Sequence, residues 1–188
     1  MQISEPAEYA ILGLLKGQPM HGYEMFQQFE NGTLGQIVHL EMSQMYAFLK
    51  KLERLTYIEA ELEPQGARPP RKIFHLTTTG QGIFEEWLSQ AVQKPRDIRI
   101  LFLIKLYFAQ RYQPEQMPSL IVSQIQACQR FLAHLETQQH SETSVSTRAS
   151  ADDAAFFDLV VLRSRIYQTR SLLDWLYELQ GKLASLHK

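Results

Sequence analysis

The stretch Ser43-Gln-Met-Tyr-Ala-Phe-Leu-Lys-Lys-Leu-Glu-Arg-Leu55, followed by Tyr57-Ile-Glu-Ala-Glu-Leu-Glu63 and Arg68-Pro-Pro-Arg-Lys-Ile-Phe-His-Leu76, decides how this chain is read. At about 100° per residue along a helix, Met45, Phe48, Leu49, Leu52 and Leu55 share one arc, while Ser43, Tyr46, Ala47, Lys50, Lys51 and Arg54 share the other. The first arc packs; the second stays outside. Ile58, Ala60 and Leu62 then alternate with Glu59, Glu61 and Glu63, the period of two of a half-buried strand. Pro64 to Pro70 has the composition of a turn, and Arg71 to Leu76 resumes an extended pattern that can pair backward. Arg68, Arg71 and Lys72 therefore stand at or beside the tip of a hairpin.

A one-faced cationic helix beside a basic hairpin is the pairing with which a winged helix holds duplex DNA. On this reading Ser43, Tyr46, Ala47, Lys50 and Arg54 face the groove, while Lys51, Arg68, Arg71 and Lys72 meet the phosphate backbone. Pro69 and Pro70 stiffen the turn, which reduces the entropy lost when it docks. An ordinary surface helix with solvated lysines is the plainer account of residues 43–55 taken alone. The attached hairpin argues against it.

Outward from this pair the chain is helical. Ala10, Ile11, Leu14 and Leu15 have helical spacing, with Ser4 as the expected N-cap, Pro6 in the first turn and Gly17 as the stop. A second helix fits His21 to Phe29, with Tyr23, Met25, Phe26 and Phe29 expected mostly inside. A helix from about Thr79 to Gln90 buries Ile83, Phe84, Trp87 and Leu88. The order is helix, helix, helix, strand, strand, helix.

Lys94-Pro95-Arg96-Asp97 breaks the pattern, and a domain boundary is expected there. Beyond it Ile98 to Tyr112 forms one helix, Pro114 and Pro118 open a second that runs to about His140, and Ser141 to Ser150 is a polar stretch. The last helix starts near Asp152, with Ser150 and Asp153 spaced as a capping pair. It is apolar on two sides: Leu159, Leu162, Ile166, Leu173, Leu176 and Leu183 form one stripe, and Leu172, Trp175, Leu179 and Leu186 a second about a quarter turn away. Two stripes in a domain of few helices call for a second chain, against the plainer alternative of a monomeric three-helix bundle. The expected fold is mainly α: a winged helix-turn-helix domain with a two-stranded β-wing over residues 1–94, then an all-α helical dimerisation domain over residues 95–188.

The 188 residues carry 19 Lys and Arg against 20 Asp and Glu, a net charge of −1. Before Pro95 the count is 8 basic to 11 acidic residues. Non-specific wrapping of nucleic acid is excluded by that balance, so any DNA contact must come from placement. The single cysteine, Cys128, cannot close an intramolecular disulfide, and with no cation beside it except Arg130 it reads as a structural thiol, not a redox sensor. The six histidines have no metal spacing and read as surface residues. No apolar run reaches the roughly 18 residues of a membrane span, and no basic stretch with an apolar core opens the chain; a cytoplasmic protein without cofactor is expected. No Gly-rich phosphate loop or Ser-His-Asp order supports an enzyme.

Several short segments together carry a family resemblance: Tyr9-Ala-Ile-Leu-Gly-Leu-Leu15, His21-Gly-Tyr-Glu24, Met45-Tyr46 with Leu49-Lys-Lys-Leu-Glu53, Arg68-Pro-Pro-Arg-Lys72, Phe74-His-Leu-Thr77, Gly80 and Trp87-Leu88. In this order the chain resembles the PadR family of bacterial transcriptional regulators over nearly its whole length. Arg96-Asp97 and the segment from Phe102 to Ala109 resemble the longer branch, whose C-terminal half is like that of virulence-gene activators. The resemblance implies a homodimer paired through C-terminal helices, an inverted-repeat operator in double-stranded DNA, and repression relieved by a small aromatic or amphiphilic effector. Thr56 replaces the family's usual glycine, so the reading helix is expected to end without a left-handed cap. In His21-Gly-Tyr-Glu24 a structural role is expected, with Gly22 allowing close packing and Tyr23 in the core. Phe156, Phe157, Tyr167, Trp175 and Tyr177 read as core or dimer seam, with an effector pocket as the alternative. The rival to DNA recognition is a winged helix that holds a protein instead.

Overall fold

The computed structural model describes residues 3–65, 68–94, 97–146 and 153–186. The tip of the hairpin at residues 66–67, the Pro95-Arg96 break, the Ser150 cap and His187 lie outside the described residues. The chain divides into two compact units. One comprises residues 1–90 with 99–113, the other residues 91–98 with 114–188.

In the first unit α1 (Pro6–Gly17) opens with Glu5, not Ser4, as its N-cap. Pro6 takes the first helical position, where its missing N–H costs nothing. The Glu8 carboxylate accepts from the backbone amides of Ser4 and Glu5, at 2.9 and 3.1 Å. α2 (Gly22–Asn31) is capped by His21, whose amide donates to Glu24 at 2.9 Å. A short α3 (Thr33–Ile37) and then α4 (Met42–Arg54) follow, and α4 buries Met45, Leu49 and Leu52. The apolar arc expected from the sequence is the one that packs.

β2 (Ile58–Gln65) and β3 (Arg68–Leu76) form the antiparallel hairpin, in one register from Ile58 opposite Leu76 to Glu63 opposite Arg71, with a shift before Gln65 opposite Arg68. A third strand, the two-residue β1 (Met20–His21), pairs with β3 at Phe74 and Ile73 and gives the order β1-β3-β2. The sheet therefore has three strands where the sequence suggested two. α5 (Thr78–Ser89) is capped by Thr77, whose hydroxyl accepts from the Gly80 amide at 3.0 Å.

Thr56 corrects a second expectation. It adopts φ 59° despite its branched side chain, and the amides of Thr56 and Tyr57 donate back to the carbonyls of Glu53 and Leu52 at 3.0 and 3.1 Å. That is a left-handed cap of the Schellman type, made without glycine.

The segment after residue 97 starts as one π turn (Ile98–Phe102) and continues as α6 (Leu103–Tyr112). α6 belongs to the first unit, so the division differs from a simple boundary at residue 94. The cause is packing at a distance: a Cβ on Gly13 would fall 2.4 Å from the ring of Phe108, so only glycine admits that ring. Phe108 meets Phe84 edge to face at 5.4 Å, and the Tyr112 hydroxyl donates to the Gly13 carbonyl at 2.8 Å. Lys105 is buried with them, its ammonium over the Trp87 ring and donating to the Trp87 carbonyl, and burial pulls its pKa down to about 7.

The second unit is built on a helical hairpin. α7 (Met117–Ser146) extends through the Ser- and Thr-rich stretch up to Ser146, beyond the end expected near His140. α8 (Asp153–Leu186) returns antiparallel to it: Gln129 donates to the Tyr177 hydroxyl at 2.7 Å and Arg170 pairs with Glu136 at 2.8 Å. Between them lie Leu135, Leu162 and Ile166, flanked by Phe131 and Leu132. Buried Gln124 clamps the backbone of Val92, accepting from its N–H at 2.7 Å and donating to its carbonyl at 2.8 Å. Cys128 is buried beside Gln124, and burial raises its thiol pKa, as befits a structural thiol. Among the described residues no helix is long and apolar enough to cross a membrane, and no cluster of metal-ligating side chains occurs.

Candidate nucleic-acid interface

α4 presents Ser43, Tyr46, Ala47, Lys50 and Arg54 outward, with Tyr46 49% exposed. The strand β3 runs alongside. A groove of about 910 Å³ opens between α4, the start of α2 and β3, and Tyr46, Lys50, Arg71 and Lys72 line it together. Lys50 and Arg71, from elements far apart in sequence, thus open on one space. Arg68 stands at the far end of the ladder, opposite Gln65.

Lys51 does not belong to this surface. Its ammonium pairs with the fully buried Glu8 carboxylate at 2.6 Å and donates to the Ser4 hydroxyl at 3.0 Å. Glu8 already caps α1 and its carboxylate has no solvent exposure, so the Lys51 cation from α4 is what balances its charge. The expected backbone contact is an internal tie between α1 and α4. Lys72 remains half exposed but shares its charge with Glu53 at 3.3 Å.

Tyr23, expected in the core, is also placed elsewhere by the structure. It is 57% exposed and lines the groove, its hydroxyl accepting from Gln27 at 2.8 Å. The signal was present: two residues before Met25, its position falls about 160° from it around the helix. Gly22 behaves as expected, since a Cβ there would come within 3.0 Å of the Tyr46 ring. His21 is more than a surface residue: its Nδ1 lies 2.9 Å from the Lys72 carbonyl and its Nε2 3.1 Å from Glu63, so the ring ties α2 to both wing strands. Glu41 serves α4 directly, its side chain accepting from the N3 backbone while Gln44 answers at the Glu41 amide.

In the second unit the stripes separate. Leu162, Ile166, Leu173 and Leu176 are buried within the single chain, and Leu159 and Leu183 are partly so. Trp175 and Leu179 are partly exposed. The apolar surface left outside includes Phe156, Phe157, Val160 and Val161, of which the two phenylalanines are 68% and 65% exposed. Tyr167 and Tyr177 are also exposed, so these aromatics are not core of the single chain.

A reading helix presented by a preceding helix and flanked by an antiparallel wing defines the winged helix-turn-helix class. Residues 11–86 match the transcriptional regulator PadR-like family, and residues 98–184 match the virulence activator alpha C-terminal region. The chain belongs to the PadR-like family of transcriptional regulators. It is 27% identical over 169 residues to the negative transcriptional regulator PadR of Bacillus subtilis, covering 90% of this chain and 92% of that one. The crystal structure of Bacillus subtilis PadR with operator DNA aligns over 96% of this chain and 99% of that one, at 24% identity and a TM-score of 0.47. The same protein with p-coumaric acid aligns over 95% and 96%, at 23% identity and a TM-score of 0.42.

Proposed function

We propose that this chain is a cytoplasmic, homodimeric repressor that binds an inverted-repeat operator in double-stranded DNA near its own or neighbouring genes. Ser43, Tyr46, Ala47, Lys50 and Arg54 read the major groove, and Arg68, Arg71 and Lys72 hold the flanking phosphates. The observation that carries this reading is the shared groove of Tyr46, Lys50, Arg71 and Lys72 on the outer side of α4 and β3. In a chain of net charge −1, cations gathered on one concave surface are the electrostatic footprint of a local duplex contact. Dimerisation runs through the outer face of α8. A small effector controls operator binding, as suggested by the Bacillus subtilis relative, which has been crystallised with p-coumaric acid.

Gel-shift titration against the promoter region of its own and adjacent genes, at two salt concentrations, tests the proposal. Saturable, salt-sensitive retardation is expected. Salt-independent or absent retardation by a folded dimer sinks it.

A second reading is favoured by Glu24 and Glu53, which line the same groove: the surface holds a protein segment instead of DNA. Lys50→Glu with Arg71→Glu separates the two, since DNA affinity collapses while an apolar protein contact is little changed.

A further inference from the structure

His21 stands where β1 ends and α2 begins, and its ring reaches both strands of the wing. Nδ1 lies 2.9 Å from the Lys72 carbonyl of β3, and Nε2 lies 3.1 Å from the Glu63 carboxylate of β2. Both partners only accept hydrogen bonds. A neutral imidazole has one N–H to offer the two, whereas an imidazolium has one for each. The charges around the ring divide by element. On β2 it meets Glu63, while Glu61 on the same face is answered by His75 at 3.5 Å. On β3, Arg71 stands opposite Glu63, and the Lys72 ammonium reaches Glu53 of α4 at 3.3 Å. On α2, Glu24 accepts from the His21 backbone amide at 2.9 Å and so serves the helix start. On α4, Lys50 opens on the groove that His21, Arg71 and Lys72 also line.

We infer that His21 is a proton-operated latch that positions the wing: its imidazolium joins β2 and β3 to the head of α2 and so holds Arg71 and Lys72 on the groove. The latch rests on the DNA-binding reading above. In the free protein Lys50, Arg71 and Lys72 oppose a charge on the ring, and only Glu63 favours it. Phosphates arriving in the groove neutralise those cations and add their own negative potential. Binding therefore takes up a proton, and by linkage affinity rises as pH falls. Lys105 is not the source of such a rise, because its protonation below about pH 7 opposes folding.

Fluorescence anisotropy of the full chain on its promoter fragment, at constant ionic strength and at pH 6, 7 and 8, the range in which histidine changes charge, tests the latch. The unaltered protein is expected to bind at least about fivefold more tightly at pH 6 than at pH 8, within the roughly tenfold per pH unit that one linked proton allows. Calorimetry in two buffers of different ionisation heat should register net proton uptake on binding. His21→Gln should bring the affinities at pH 6 and pH 8 to within about twofold of each other and remove most of that uptake. Glu63→Gln, at a half-exposed position, keeps an acceptor but loses the charge, and should cut the slope to about half or less. His134→Gln, exposed on α7, should keep the full slope. Salt-sensitive binding that is indifferent to pH, or a full slope retained by His21→Gln, overturns the latch and leaves the DNA reading standing. Absence of binding at every pH overturns both. Should His21→Gln not fold, an unchanged slope in Glu63→Gln overturns the latch by itself.

Discussion

Lys50 and Lys51 are neighbours with opposite duties. Lys50 is exposed on the groove, whereas Lys51 is the counter-charge of a carboxylate with no exposure of its own. Removing one partner of such a pair leaves an uncompensated buried charge. Lys51→Ala should therefore lower unfolding stability by about 2 kcal/mol, less than for a wholly buried pair because the lysine side chain is 22% exposed. Lys50→Ala should change stability by less than about 0.5 kcal/mol while weakening operator binding; urea denaturation and gel shifts on the same preparations check both. Nothing in the local sequence distinguishes the two lysines, because the decisive group, Glu8, lies 43 residues away.

Two further residues carry strain or charge that can be released. Thr56 holds a left-handed conformation that costs an L-residue about 1–2 kcal/mol. Thr56→Gly should raise stability by roughly 1 kcal/mol, partly offset by the loss of its hydroxyl bond to the Leu55 carbonyl and by a freer unfolded chain; a rise in denaturation midpoint is the observable. Lys105 prefers its neutral form when folded, with a pKa of about 7 against 10.5 for the free side chain. Between those values the unfolded chain binds more protons, so stability should rise with pH from about 7 upward and be lost as pH falls through 7. Denaturation midpoints from pH 6.5 to 9 should show this slope, and Lys105→Met should flatten it.

At the scale of elements, α4 and the wing act as one surface because β3 places its cations beside the helix. Arg71→Ala should weaken binding to all sequences alike and reduce the slope of log affinity against log salt by about one unit, the signature of a lost phosphate contact. Tyr46→Phe should instead change which operator variants bind best, since on the proposed reading its hydroxyl meets base edges.

These elements were also the legible ones. The 3.6-residue and two-residue periods from Met45 to Leu76 are local properties, and the helix, both strands and the exposure of Ser43, Tyr46, Ala47, Lys50 and Arg54 follow from them, whereas Leu62, placed inward by the alternation, is 60% exposed. β1 was illegible because two residues have no period; it exists through pairing with Phe74 and Ile73. α3 is only five residues long. The polar run up to Ser146 reads as loop by composition, yet it continues α7, where helix already formed extends at little cost. α6 reads correctly as a helix, but its place in the first unit depends on Gly13 admitting Phe108, a match no window of sequence contains.

For the whole molecule, the proposed dimer raises the question of which side of α8 would meet the second chain. The inner stripe, with Leu162, Ile166, Leu173 and Leu176, is buried within the single chain, Leu162 and Ile166 against Leu135. Phe157 and Val161 are exposed, and Trp175 and Leu179, partly exposed, fall on the same arc of the helix two turns and more further on. Such an arc is what a coiled-coil-like seam needs. Phe157→Glu with Val161→Glu changes only exposed positions, so the helical content should persist while sedimentation equilibrium shifts from dimer to monomer mass. Operator affinity should then fall by about 100-fold or more, because two half-site contacts no longer reinforce each other. Ile166→Glu should act differently, unfolding the hairpin by burying a charge among Leu135 and Leu162. A double variant that stays dimeric and keeps full operator affinity would move the seam off this face of α8.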